Sequence, residues 1–301
     1  MHILIRTAWA GLAFFSLGTG APALAEESAE TGVEASAEPG WQVIAPENLM
    51  LVETSKGIVT IELNPDFAPG HVERMRELAA AGAYDDKHFY RVIDGFVAQG
   101  GLEDEDEIAE WGPIRNENDR PFGGDGFVPL GNADLFAPEV GHTSGFPVGR
   151  DEMLDQEWLL HCPGAVAMAR DNDPDSGGTE FYIVLDAQRY LDRNLTVFGR
   201  VIDGMQHVQA FARGERAVES GVIQAPATGE AMSRVTIASD LAEDQRPVWQ
   251  TMTSAGQPFD DFKTSKRVRS EAFFYHKPPE VLDICSFETP SRRVDAPSHD
   301  D

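Results

Sequence analysis

Arg91 lies in the run FYRVIDGFVAQGG (89–101), flanked by apolar residues, with Phe96, Val97 and Gln99 shortly after it. A guanidinium stays charged in proteins and offers five donors in a fixed fork. Held beside an apolar pocket, it can stabilise electron density that develops on a bound group. Taken alone, an arginine between strand residues is more often a surface charge. Cys162 and Cys285, the only cysteines, would pair in an oxidising compartment. The alternatives are two buried free thiols or a metal pair, although the C-x-x-C and nearby histidine spacing of a zinc site is missing. DNDPDSG (171–177) has the aspartate alternation of an EF-hand loop. Its glycine falls one place late, Pro174 stiffens the turn, and Tyr182 stands where a bidentate glutamate must close the site. Calcium is therefore not expected there, and the acidic run 103–107 reads as a solvated loop face.

The elements that must position these residues follow from patterning. LMLVET (49–54) and GIVTIEL (57–63) flank Ser55-Lys56-Gly57 as the two strands of a hairpin. Pro69 can open a helix, and Val72, Met75, Leu78 and Ala79 recur at helical spacing until Gly82. HFYRVI (88–93) and FVAQ (96–99) are strands about Asp94-Gly95. AVAMAR (165–170), EFYIVL (180–185), TVFGRVI (196–202) and VTIASD (235–240) are further strands. Asp203 with Gln206 three residues on has capping-box spacing for a second helix that buries Met205, Val208 and Phe211 or Ala212. Short strands joined by turns, with two helices, predict a mainly β, closed antiparallel sheet.

The 301 residues allow one sizeable core with appendages. A formal charge of -27 would repel a phosphate backbone, so nucleic acid and anionic membranes are not expected partners. Arg6, the apolar run Ala8–Leu17 and Ala23-Leu24-Ala25 form a signal peptide (1–25) with cleavage expected after Ala25. Gly18, Gly20 and Pro22 interrupt it too early for a membrane span of roughly 20 apolar residues. No membrane insertion is expected after cleavage, and the expected location is periplasmic or secreted. Glu26–Gly40 lacks large apolar residues and reads as an acidic disordered leader. Order begins near Trp41–Leu49, so the leader is drawn at 26–45 and the main domain at 46–240. Residues 102–161 form a long connection whose Phe122, Phe127, Phe136 and Phe146 argue for a packed loop. The extension 241–301 carries Trp249, Phe259, Phe262, Phe273-Phe274-Tyr275 and a strand-like VLDICSF (281–287), and should dock on the domain with only DAPSHDD loose.

FYRVIDGFVAQGG closely resembles the cyclophilin signature. GAVAMARDNDPDSGGTEFYIVL (164–185) and YLDRNLTVFGRVIDGM (190–205) resemble the segments that follow it, so the likeness spans most of 50–240. The resemblance implies an eight-stranded antiparallel β-barrel capped by two helices, needing no cofactor or metal, monomeric, and acting as a peptidyl-prolyl cis/trans isomerase on proline-containing polypeptides that are unfolded or have exposed loops. It assigns catalysis to Arg91, Phe96 and Gln99. Val97 joins Phe96 at the floor of the proline pocket, Ala169 and Arg170 hold the substrate backbone, and Glu180, Tyr182, Tyr190, Leu191 and Leu195 form the far wall. Several positions depart from the family: Tyr90 replaces a frequent His, Val97 Met, Glu180 Gln, Tyr182 Phe, Tyr190 Trp or Phe, and Leu195 a common His. Where the family has Trp at 190, its indole N–H usually donates to cyclosporin. The main expectation is an active isomerase for exported proteins. A catalytically weak binding module or chaperone and a calcium-stabilised scaffold are the rival readings.

Overall fold

The computed structural model describes residues 38–123 and 126–294. The signal peptide, most of the leader and DAPSHDD lie outside the described residues. The first strand, β1 (Trp41–Val43), begins inside the segment drawn as leader. It pairs with a strand of the C-terminal extension, Trp41 opposite Met252.

The expected hairpin is β2 (Leu49–Thr54) and β3 (Gly57–Leu63), paired from Leu49↔Glu62 to Thr54↔Gly57. Helix α1 (Pro69–Ala80) follows, with proline in its first turn and Val72, Met75 and Leu78 buried. β4 (Lys87–Val92) and β5 (Val97–Gly101) come next. The acidic run is a helix rather than a loop, α2 (Glu105–Trp111). An Asp104 carboxylate oxygen accepts from the Asp106 and Glu107 N–H groups at 3.0 and 3.1 Å, and acidic residues in its first turn suit the helix dipole.

The rest of the connection is a four-stranded sheet in chain order rather than a loop: β6 (Val128–Pro129), β7 (Glu139–Thr143), β8 (Phe146–Asp151) and β9 (Gln156–Leu159). The chain then returns through β10 (Ala165–Met168), β11 (Glu180–Val184) and β12 (Val197–Asp203). Asp203 ends that strand instead of capping a helix. Gly204, at φ +88°, is the N-cap of α3 (Met205–Gln209), where a Cβ would come within 2.4 Å of the Ile58 carbonyl oxygen. β13 (Glu230–Ile237) starts earlier than the pattern at 235 suggested.

Eight strands close a barrel in the order β10-β11-β5-β4-β13-β2-β3-β12, with every neighbour antiparallel. The extension adds β14 (Val248–Met252), an unanticipated helix α4 (Gln257–Arg267) and β15 (Ser291–Val294), with β14 central between β1 and β15. VLDICSF is not a strand. It is irregular, and Leu282 and Ile284 are buried with Leu130, Trp158, Leu160 and Cys162.

Strand periodicity divides the core in two. Phe181 and Ile183 of β11, Val166 and Met168 of β10, and Ala98 of β5 share the main core with α1 and with Val208 and Phe211. Their alternates, Tyr182, Val184, Ala165, Ala167 and Val97, face a second cluster built with Phe146, Val148 and Leu159 of the inserted sheet. The insertion thus covers part of the barrel's other face. Among the described residues no helix is long and apolar enough to cross a membrane.

Candidate active site

Arg91 lies opposite Gln99, Gln99 opposite Tyr182, Tyr182 opposite Ala167, and Ala167 opposite Val197. One lateral row therefore crosses β4, β5, β11, β10 and β12. The pairing of β4 with β5 slips between His88 and Arg91, and such a bulge lets two successive residues face the same way. Phe89 and Val92 point into the core, while Tyr90 and Arg91 both remain half-buried outside it. The two glycines after Gln99 are needed for close strand approach. A Cβ on Gly100 would come within 2.6 Å of the His88 carbonyl oxygen, and one on Gly101 within 2.6 Å of that of Thr179.

Arg91 is held at two points. Nε donates to the Ser220 carbonyl at 2.8 Å and Nη1 to Gln99 Oε1 at 2.9 Å. Its guanidinium carbon lies 5.6 Å from the Phe96 ring centre, and that of Arg216 lies 5.8 Å from the same ring. Burial, together with Arg216, lowers the Arg91 pKa from its ordinary value, and the group remains a cation. Gln99 Nε2 donates to the Tyr90 hydroxyl at 2.9 Å, and the Tyr90 hydroxyl donates to Glu180. Burial raises both the Glu180 carboxyl and the Tyr90 phenol, and the acidic neighbours of each add to the shift.

Beside this cation, Val97, Tyr182 and Ala169 are buried in the second cluster, with half-buried Phe96 and Leu195 packed against it. A fixed guanidinium thus lies beside a packed apolar cluster, of which Phe96 and Leu195 stay partly exposed. Tyr182 is anchored from behind, where its hydroxyl lies 3.0 Å from His161 Nε2, whose Nδ1 lies 3.1 Å from Asp192. Asp192 accepts from Arg189 Nε at 2.6 Å.

The family model described as cyclophilin type peptidyl-prolyl cis-trans isomerase/CLD matches residues 49–238. The chain belongs to the cyclophilin family. A probable peptidyl-prolyl cis-trans isomerase of Brucella suis is 30% identical over 239 residues, covering 78% of this chain and 97% of that protein. Peptidyl-prolyl cis-trans isomerase B of Bacillus subtilis is 31% identical over 157 residues, covering 52% and 85%. A crystal structure of a cyclophilin from Hirschia baltica superposes with a TM-score of 0.67 at 28% identity, covering 84% of this chain and 93% of that one.

In this cyclophilin the remaining expected residues are placed unevenly. Tyr190 is 61% exposed and Leu191 half-buried, both in the turn at 189–191. Arg170 gives Nε and Nη2 to the Asn194 carbonyl at 3.0 and 2.6 Å and Nη1 to that of Asp171 at 2.6 Å, so its side chain braces two loops. The Ala169 N–H is spent on the Glu180 carbonyl at 2.8 Å. Cys162 and Cys285 are disulfide-bonded with Cα atoms 4.8 Å apart. His161, Arg189, Asp192 and Ser220 were missed by sequence reasoning, because no local spacing links them to the motif. Glu117, from the insertion, caps α1. Its carboxylate accepts from the N–H groups of Gly70 and His71 and lies 2.7 Å from His71 Nδ1. Burial works against ionisation there, but these bonds prevail and hold its pKa low.

Proposed function

We propose that the chain isomerises X-Pro bonds in exported polypeptides, with Arg91 as the catalytic cation. The supporting observation is a guanidinium fixed by Ser220 and Gln99 beside the apolar cluster of Phe96, Val97, Tyr182 and Leu195. Amide resonance sets a barrier of about 18–20 kcal/mol. In the twisted state the imide nitrogen gains a lone pair, and a guanidinium aimed at it binds that state better than either planar form. A rate gain of about 10⁵ requires roughly 7 kcal/mol, whereas one charge-assisted hydrogen bond contributes about 1.5–3. The remainder is assigned to apolar contact with the ring through the partly exposed Phe96 and Leu195 while the preceding residue rotates. Phe96 belongs to this apolar surface and also lies under the cation.

A protease-coupled assay on a panel of X-Pro peptides tests the reading. Arg91→Ala lowers the rate at least about tenfold with circular dichroism unchanged. An unchanged rate removes Arg91 from the chemistry and favours a binding module, and a collapsed fold makes it structural. The export reading rests on the signal-like N-terminus and on the disulfide. Amino-terminal sequencing of the mature protein should begin at Glu26, and fractionation should find it outside the cytoplasm. The working form is proposed to be a monomer, which sedimentation checks.

A further inference from the structure

Four side chains on three adjacent strands form one directed chain of hydrogen bonds: Arg91 to Gln99, Gln99 to Tyr90, and Tyr90 to Glu180. The bulge in β4 makes it possible by turning Tyr90 to the same side as Arg91. Glu180 lies two residues before Tyr182 on β11, on the same face by strand periodicity. Each link has one permitted direction. Arginine only donates, so it takes the oxygen of the Gln99 amide. The Gln99 NH₂ must then face Tyr90, whose oxygen accepts, so the Tyr90 proton has to go elsewhere. Glu180 is the acceptor that receives it.

With Glu180 protonated, the logic reverses. Its own O–H can donate to the Tyr90 oxygen, and the Tyr90 hydroxyl is free to donate to Gln99 instead. The amide then turns, presenting NH₂ to a guanidinium that cannot accept. We propose that Glu180 and Tyr90 are positioning residues that lock Arg91 through Gln99 and couple isomerisation to the ionisation of Glu180. The proposal rests on the reading of Arg91 as the catalytic cation.

The groups facing Glu180 are Tyr90 from β4, Glu103 beyond the end of β5, Asp171 from the loop after β10, and buried Tyr84. His88 of β4 sits 3.3 Å from Glu103. Burial, then Asp171 and Glu103, raises the Glu180 carboxyl above its ordinary range, while the bond from Tyr90 opposes them. Activity is therefore complete above that raised value and declines as pH falls through it.

The test measures kcat/KM on an X-Pro tetrapeptide against pH by NMR exchange, which needs no coupling protease. It compares the unmodified protein with Tyr90→Phe, Glu180→Leu, Glu180→Gln, the Tyr90→Phe/Glu180→Leu double variant and Arg91→Ala. Tyr90→Phe and Glu180→Leu should each lower kcat/KM about three- to tenfold near neutral pH, the effect of one hydrogen bond. The double variant should be no worse than either, since all act through one chain. Glu180→Gln keeps an acceptor oxygen without a titrating proton. Whatever rate it shows at neutral pH, that rate should no longer decline in acid. Tyr90→Phe with full rate and an unchanged acid decline would overturn the positioning role, as would additive effects or an acid decline that persists in Glu180→Gln. If Arg91→Ala keeps full rate, the catalytic reading fails first. If it loses rate while Tyr90→Phe does not, only the positioning role fails.

Discussion

Asp134 and Arg189, one in the insertion and the other in the turn Arg189–Leu191, meet in a bidentate ion pair with both bonds at 3.0 Å. Both side chains are only 6% exposed. Because Arg189 also holds Asp192, and Asp192 holds His161 against Tyr182, Asp134 is joined to Tyr182 by an unbroken line of polar contacts. Asp134 also fixes its own loop by accepting from the Phe136 and Ala137 N–H groups.

Breaking a buried pair leaves a charge without its partner, at a cost of about 3–5 kcal/mol. Asp192 still holds Arg189, so Asp134→Ala should destabilise by about 3 kcal/mol, the lower end of that range. Urea denaturation measures it. A change within the roughly 0.5 kcal/mol of ordinary surface substitutions would show that the pair does not brace the Arg189 turn.

The disulfide joins residues 123 apart in sequence. Closing a loop of that length contributes about 4–5 kcal/mol in the chain-entropy model. Denatured, unreduced protein should titrate no free thiol, and Cys285→Ser should lower the melting temperature. Two free thiols would refute the bridge.

His142 is buried between Phe259 and Phe287, and its Nδ1 has no hydrogen-bond partner among the described residues. Burial, with Lys263 and Arg200 nearby, lowers its pKa to about 3. An unfolded histidine titrates near 6.5. Between those values the unfolded chain binds more protons, so this residue makes stability fall as pH drops from about 6.5 towards 3. His142→Phe keeps the aromatic contacts and removes the proton. Its stability should fall less steeply over that window, as thermal melts at several pH values would show. Parallel curves for the two proteins would count against the assignment.

Cyclosporin should inhibit weakly. Where the family usually has an indole N–H, Tyr190 presents a phenol whose oxygen projects from the end of the ring, and the side chain is exposed. An acceptor left unpaired costs about 1–3 kcal/mol, roughly five- to 150-fold in affinity. Tyr190→Trp should recover part of the sensitivity. Tight inhibition of the unmodified protein would contradict this reading of Tyr190.

The barrel was legible because its information is local. The hairpin at 49–63 carries its own register, AVAM and EFYIV are short apolar runs of strand length, and the Arg91–Gln99 pairing lies within one hairpin. Glu180 was named as a wall residue, but its link to Tyr90 depends on a bulge that strand patterns do not show. The line from Asp134 to Tyr182 joins distant segments, so no spacing could reveal it. The inserted sheet was hidden because β7 and β8, with their Gly, His and Pro residues, lack a β-branched run. Two signals were present and unused. Asp104, with Glu107 three residues on, marks the start of α2, and Pro258 marks that of α4.

β1 and β15 flank β14 and run parallel to each other, Trp41 facing Met252 while Ser291 faces Thr251. β1 therefore starts beside Met252, and β15 ends at the other side of the sheet, beside Val248. Arg292 ties the two borders together, donating to Glu38 at 2.7 Å and lying 4.1 Å over Trp41. A pull on the two ends would load these short strands in shear, so that their hydrogen bonds give way together instead of unzipping singly. The same sheet cannot be completed until the last strand has been synthesised, so a nascent chain would carry its barrel without this clasp.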